Sequence, residues 1–202
     1  MAAPTLMTWG QPEHHERYLP KLASGEEIWC QLFSEPAGGS DLAALRTKAE
    51  KEGDDWIING QKIWTSGAHY SDYGILVVRT DPNVAKHKGL SYFFLDMNSP
   101  GVEIKPIKQL TGGAGFNEVY FTDVRIPDSQ RLGEVGQGWQ VALTTLMNER
   151  AAIGGGGGGD HGRDVRRRRE PVRRRRLLEL HLHLRFSLQP FRSRLFRLKI
   201  VV

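Results

Sequence analysis

The spacing of apolar and polar positions changes period twice along the chain. Over residues 1–25, Tyr18, Leu19 and Leu22 recur at helical spacing, Pro12 sits where a first-turn proline belongs, Glu13 favours the helix dipole, and Gly25 is a stop signal. Two short helices are expected there. Alone they bury little, and they read as the last turns of a larger helical unit. From Glu26 to Pro127 the pattern becomes short β runs separated by turn residues. Trp29, Leu32 and Phe33 form a strand-like run that Glu35-Pro36 ends. Trp56-Ile57-Ile58, Asn59-Gly60 and Gln61-Lys62-Ile63-Trp64 read as a hairpin, because Asn-Gly supplies the positive φ values of a type I′ turn. Further strands are expected at Gly74–Arg79, Ser91–Asp96, Val102–Ile107 and Glu118–Val124, with turn chemistry at Asp81-Pro82-Asn83 and Asn98-Ser99-Pro100-Gly101. About six or seven strands at this spacing imply an antiparallel barrel or sandwich. After Gly136-Gln137-Gly138 the period turns helical again, and Trp139, Ala142, Leu143, Leu146, Met147, Arg150 and Ile153 form one stripe.

The stripe ends at a run of glycines, Gly154–Gly159, and the chain then changes character. Residues 160–176 are dense in arginine, and Leu178, Leu180, Leu182 and Leu184 alternate with Glu179, His181 and His183. Residues 1–153 carry 14 basic and 19 acidic residues, a net of −5, whereas residues 154–202 carry 14 and 4, a net of +10. The body is therefore mildly acidic, which argues against nucleic acid as its main partner. Three readings of the basic segment stay open: an arm for nucleic acid or an acidic membrane, a solvated disordered tail, or a reading frame shifted within the glycine codons. The expected fold class is α+β, an antiparallel β-barrel or sandwich flanked by helical fragments, with an irregular or disordered basic tail. The expected domains are 1–25, 26–130, 131–153 and 154–202.

Cys30 is the only cysteine, so no disulfide framework exists and a reducing interior suits the chain. No apolar run is long enough to span a bilayer and the N-terminus shows no signal pattern, so a cytoplasmic location is expected. No metal site is expected. His14 and His15 adjoin on a helix and face different ways, and His181-x-His183 lacks a third ligand.

The stretch Gln31–Asp41, Q-L-F-S-E-P-A-G-G-S-D, carries the strongest chemical signal. A strand running into Gly38-Gly39, with the Ser40 hydroxyl and Asp41 as N-cap, is one way to build an anion cradle from main-chain N–H groups. From the glycines alone a tight turn without ligand is the better reading, because no GxxxxGK(S/T) or GxGxxG is present. The wider pattern, F-S-E-P-x-x-G-S-D-L followed by K-I-W-T-S-G, resembles the middle domain of the acyl-CoA dehydrogenase family of flavoproteins, over roughly residues 2 to 153. Ala37-Gly38-Gly39 departs from the family's usual Gly-Ala-Gly. The resemblance implies a truncated member: the end of an N-terminal α domain, a β domain, and the first helix of a C-terminal α domain.

It also implies FAD as cofactor. Phe33 and Ser34 match positions whose backbone and hydroxyl serve the flavin ring, and Gln31, Gly39 and Ser40 match positions lining the cofactor. Ser40 also matches a serine that meets the acyl-CoA substrate. Trp64 matches a tryptophan packed on the isoalloxazine, and Thr65-Ser66 a pair whose second hydroxyl reaches N5. Taken singly, Trp64 could be a core aromatic, and Ser34 and Ser66 turn caps. The implied reaction removes an α-proton and a β-hydride from an acyl-CoA thioester, with an electron-transfer flavoprotein as oxidant and a homo- or hetero-oligomer as the working state. Asn148-Glu149-Arg150 matches the place where a minority of members carry the base, so Glu149 is the candidate base and Arg150 a candidate contact to CoA; Met147 stands where the family often has Asp. Spacing adds that Ala142, Leu146, Glu149 and Ile153 share a face, so a desolvated Glu149 should have a raised pKa, as a base for a carbon acid would want. A structural Glu149-Arg150 pair is the other reading. The fragment alone is expected to bind FAD poorly and turn over little. The alternative function is a non-catalytic β-domain scaffold whose basic tail binds acidic partners such as nucleic acid or membrane.

Overall fold

The computed structural model of the chain describes residues 1–154. The readings made for residues 155–202, the basic arm and the His181-x-His183 pair among them, lie outside the described residues. Two helices, α1 (Ala2–Trp9) and α2 (Pro12–Ser24), come first. Pro12 opens α2, and Gly25 closes it in the left-handed conformation, φ 72°, its N–H donating to the Leu22 carbonyl. His14 anchors the start of α2. Its Nδ1 accepts the Gln11 N–H at 3.1 Å, so its Nε2 carries the proton and donates to the Ser129 carbonyl at 2.7 Å.

Eight strands follow: β1 (Trp29–Leu32), β2 (Lys48–Glu52), β3 (Asp55–Ser66), β4 (Tyr73–Arg79), β5 (Leu90–Asp96), β6 (Val102–Ile107), β7 (Phe116–Pro127) and β8 (Arg131–Leu132), and then helix α3 (Gly138–Gly154). They form one sheet in the order β6-β7-β3-β2-β4-β5-β8, with β1 added alongside β4. The sheet is mixed and is not a closed antiparallel barrel, because β1 pairs with β4 in parallel, Trp29 opposite Tyr73 through Leu32 opposite Leu76.

Strands β4 and β5 are apolar on both faces, and that divides the core in two. Leu76, Val78, Phe93 and Leu95 point one way, into a cluster with Trp56, Ile58, Val119, Val124 and Ile126 of β3 and β7. Ile75, Val77, Tyr92 and Phe94 point the other way, toward Leu6 of α1, Val141 and Ala142 of α3, and Phe33. Strands buried on both faces read as continuous apolar runs, as these do. Tyr18 of α2 joins the second cluster through edge-to-face contacts with Trp29, Tyr73 and Phe94, at centroid distances of 5.0–5.4 Å.

Two sequence expectations are corrected here. Asn59-Gly60 is not a hairpin turn: β3 runs through it without a break, antiparallel to β7. Between the pairs Ile58–Val124 and Gly60–Phe121, β7 contributes two residues against Asn59 alone, a bulge that Asn59 and Asp123 close with reciprocal hydrogen bonds of 2.9 and 3.0 Å. Gly60 is needed there because its φ is 149° and a Cβ would lie 2.7 Å from the Thr47 Cα. The true hairpin joins β2 to β3 through Gly53-Asp54, with φ 62° at Gly53. The second correction concerns α3. Its covered side runs through Val141, Ala142 and Thr145, while Leu143 and Met147 of the expected stripe are exposed, Met147 to 63%. A polar network fixes that orientation: the Thr145 hydroxyl lies 2.8 Å from Thr5 Oγ1 and 2.9 Å from Tyr92 OH.

Candidate flavin-binding site

Strand β1 runs into Phe33, Ser34 and Glu35, and the chain reverses over Pro36-Ala37. Glu35 and Gly38 exchange both backbone hydrogen bonds at 3.0 Å, so the tight turn sits one step earlier than the glycines suggest. Gly38 and Gly39 do not adopt positive φ, and a Cβ on Gly39 would meet nothing within 4 Å. Neither the fold's dihedrals nor its packing explains glycine at position 39. Asp41 does not cap the following 3₁₀ turn with its side chain. Its carboxylate pairs instead with Lys86 at 2.7 Å.

Strand β3 meets this turn from the side. The Ile63 N–H donates to the Ser34 carbonyl at 2.9 Å, and the Lys62 ammonium donates to the Phe33 carbonyl at 3.2 Å and to Glu35 Oε1 at 2.8 Å. The two motifs, remote in sequence, are thereby stitched together. Lys62 is completely buried. Desolvation pushes its ammonium down to about 8, against the upward pull of Glu35. Desolvation also works to raise the Glu35 carboxyl. It is outweighed by the Lys62 charge and by the hydrogen bonds from Lys62, Thr47 and Arg46, which hold the group below its usual range.

A second bulge follows. Between the pairs Lys62–Val119 and Thr65–Asn117, β3 contributes Ile63 and Trp64 against Glu118 alone. Trp64 takes φ 60°, a conformation bulges of this kind normally give to glycine, at a cost of about 1–2 kcal/mol. The residue is also 57% exposed, and its ring meets Phe116 edge-to-face at a centroid distance of 6.1 Å. Trp64 is therefore not a core aromatic. Trp64 thus combines a strained backbone with an exposed side chain. Next to it Thr65 is buried with its hydroxyl unpartnered, and the exposed Ser66 begins the turn into Gly67. Neither Ser34 nor Ser66 makes a side-chain turn cap among the described residues.

Gln31 faces α3. Its amide Nε2 donates to Glu149 Oε2 at 3.4 Å, joining residues 118 positions apart, and its buried Oε1 has no partner. Glu149 is half-buried, one turn beyond Thr145. Arg150 is exposed, and among the described residues it forms no ion pair with Glu149, so the structural Glu-Arg pair is not made. The structure thus brings Gln31, Phe33, Ser34, Trp64, Thr65 and Ser66 to one neighbourhood through β1 and β3, sets Glu149 against Gln31, and leaves Gly39 and Ser40 on the exposed loop.

Sequence reasoning missed the Glu35–Lys62 pair. Positions 56, 58, 60 and 62 share one side of β3, so Lys62 falls on the side that buries Trp56 and Ile58. A lysine on a core face demands an acid partner, and that signal was available.

These residues suit a flavin. Gln31 Oε1 and Thr65 Oγ1 are buried polar atoms without partners, Trp64 is strained and exposed, and the loop at Gly39 is open. Residues 30–124 match the family model described as the acyl-CoA dehydrogenase middle domain. The chain is 51% identical over 152 residues to acyl-CoA dehydrogenase FadE34 of Mycobacterium tuberculosis, covering 75% of this chain and 21% of that protein. It is 47% identical to acyl-CoA dehydrogenase IpdE1 of the same organism, covering 74% of this chain and 39% of the relative. Among solved structures, the Tcur3481-Tcur3483 steroid ACAD superposes with a TM-score of 0.71 at 40% identity, covering 74% of this chain and 38% of that one. The sheet over residues 30–124 thus matches the middle domain of a flavoprotein dehydrogenase class. The chain belongs to the acyl-CoA dehydrogenase family, and spans about two fifths or less of these relatives' length. Among the described residues, no helix is long and apolar enough to cross a membrane and no group of ligands could hold a metal ion.

Proposed function

We propose that the chain is part of an FAD-dependent acyl-CoA dehydrogenase that converts an acyl-CoA thioester to its trans-2-enoyl-CoA. The observation that carries this reading is Trp64, strained and exposed beside the Phe33–Ser34 backbone within a matching middle domain. In this reading residues 1–25 close an N-terminal α domain, 26–130 are the cofactor-binding β domain, and 131–153 open a C-terminal α domain. The Phe33 backbone, the Ser34 hydroxyl, Gln31, Gly39 and Ser40 would hold FAD, Trp64 would pack against its ring system, and Thr65-Ser66 would supply the hydroxyl for N5. FAD, when bound, supplies an acceptor for the hydride that leaves the β-carbon.

Glu149 takes the α-proton. The Gln31 amide bonded to Glu149 Oε2 fixes the carboxylate's orientation and leaves Oε1 to receive that proton. Ser40 contacts the substrate, and exposed Arg150 stands ready for the CoA moiety. An electron-transfer flavoprotein is the proposed oxidant of the reduced cofactor and an oligomer the proposed working state. Forty per cent identity to the steroid ACAD, against 33% to glutaryl-coenzyme A dehydrogenase, favours a bulky ring-bearing acyl group.

The test is an FAD titration of the full chain, read by tryptophan fluorescence, followed by acyl-CoA-dependent dye reduction. Weak but saturable quenching is expected, with slow dye reduction that Glu149→Gln abolishes while binding persists. The absence of saturable quenching overturns the flavin reading. Dye reduction unchanged in Glu149→Gln overturns the choice of base.

A further inference from the structure

Charged residues in this protein's core are confined to one pair, Glu35 and Lys62, among the described residues. A buried pair is weak as a stabilising device, because apolar residues of similar volume usually hold a core as well. What the pair does supply is geometry. The Glu35 carboxylate receives three donors: Lys62 Nζ at 2.8 Å and the Thr47 N–H at 2.9 Å on Oε1, and the Arg46 N–H at 2.6 Å on Oε2. Lys62 reaches back to the Phe33 carbonyl, and its neighbour Ile63 donates to the Ser34 carbonyl. Both carbonyls of the dipeptide assigned to the flavin ring are thus held from β3.

The same anchor fixes one flank of the second bulge. Trp64 lies two residues beyond Lys62, and the other flank is held at Thr65, whose carbonyl accepts from Asn117 Nδ2 at 2.9 Å. A left-handed tryptophan persists only where its flanks are over-determined. Lys62 on one side and Thr65 on the other satisfy that condition.

We infer that Glu35 and Lys62 are positioning residues, a buried clamp that holds the Phe33–Ser34 backbone and the left-handed Trp64 in the arrangement that receives the flavin. The inference rests on the flavin reading above and extends it to two residues that touch no cofactor. Through directed hydrogen bonds the ions specify one placement of two loop segments on β3.

The experiment compares the full chain with the neutral, volume-conserving double variant Glu35→Gln/Lys62→Met. Three readouts are taken: thermal melting, amide hydrogen exchange, and FAD affinity with the absorption spectrum of the bound flavin. The double variant is expected to melt close to the parent. It should lose exchange protection at residues 33–35, 46–47 and 62–66 while β4 and β5 keep theirs, and bind FAD about tenfold or more weakly with an altered spectrum. Parent-like protection in those segments together with parent-like FAD affinity overturns the clamp. Should the double variant fail to fold, Glu35→Asp is read the same way, since it keeps the negative charge for Lys62 and shortens the reach to the Arg46 and Thr47 N–H groups. A parent chain that shows no saturable FAD binding overturns the flavin reading, and the exchange data then decide the clamp by themselves.

Discussion

Strands β4 and β5 and the end of β3 lie in one sheet and obey opposite rules. In β4 and β5, residues 74–78 and 90–95 are all buried, and every apolar side chain among them serves one of the two cores. From Lys62 to Ser66, β3 buries an ammonium and a hydroxyl, exposes a tryptophan, and puts that tryptophan in a left-handed conformation. The first region shows what stability selects. The second carries costs that packing alone does not explain and that the proposed flavin contact would account for.

The sharpest contrast comes from removing bulk from the first region. Phe93 packs against Trp56 at a centroid distance of 5.6 Å in the fully buried core. Phe93→Ala should cost about 3–5 kcal/mol in urea unfolding, with any loss of FAD binding following only from loss of fold. A smaller cost would mean that the two-faced burial of β5 is not what holds the sheet. Lys62→Met alone should cost about 3 kcal/mol, because it leaves Glu35 buried without its cation, whereas adding Glu35→Gln should bring the cost back to about 1 kcal/mol or less. Equal costs for single and double variants would refute the coupling; a double-mutant cycle measures it.

Trp64→Gly should run against the usual direction. Relief of the left-handed strain offsets the entropy that glycine adds to the unfolded chain, so stability should stay level or rise by about 1 kcal/mol while FAD affinity falls. A large loss of stability would return Trp64 to a structural role. The smallest effect is one that acid removes. The Asp128 carboxyl, bonded by the Arg131 guanidinium and by Trp56 Nε1, is pulled down from 3.8 to about 2. Since the folded value lies below the unfolded one, the stability it contributes is present above about pH 4 and is lost as pH falls toward 2. Asp128→Asn should lower the melting temperature at neutral pH and flatten its fall over that window. An unchanged slope between pH 4 and 2 would show that other carboxylates govern acid unfolding.

The two regions also differ in how far their sequences could be read. The apolar runs of β4 to β7 lay where expected, since each carries its own periodicity, and Pro12 and Gly25 bounded α2 as local caps do. Strand β2, Lys-Ala-Glu-Lys-Glu, went unseen because only Ala49 is buried in it and its strand character comes from pairing with β3. Asn59-Gly60 carries the signature of a turn, yet it sits in mid-strand, because a bulge and a turn both call for positive φ and residues outside the dipeptide decide which forms. On α3, Thr145 displaced Leu143 from the buried side once Thr5 and Tyr92 offered their hydroxyls.

The sequence by itself determined the β-rich middle, the bounding helices, and two motifs close enough to a flavoprotein family to identify it. Tertiary structure alone decided that Lys62 would be paired, that Trp64 would stand strained in the open, and that Gln31 would reach Glu149. Each of these is a contact or a dihedral fixed by residues distant in sequence, and a side chain's partner leaves no periodic trace in the segment that carries it.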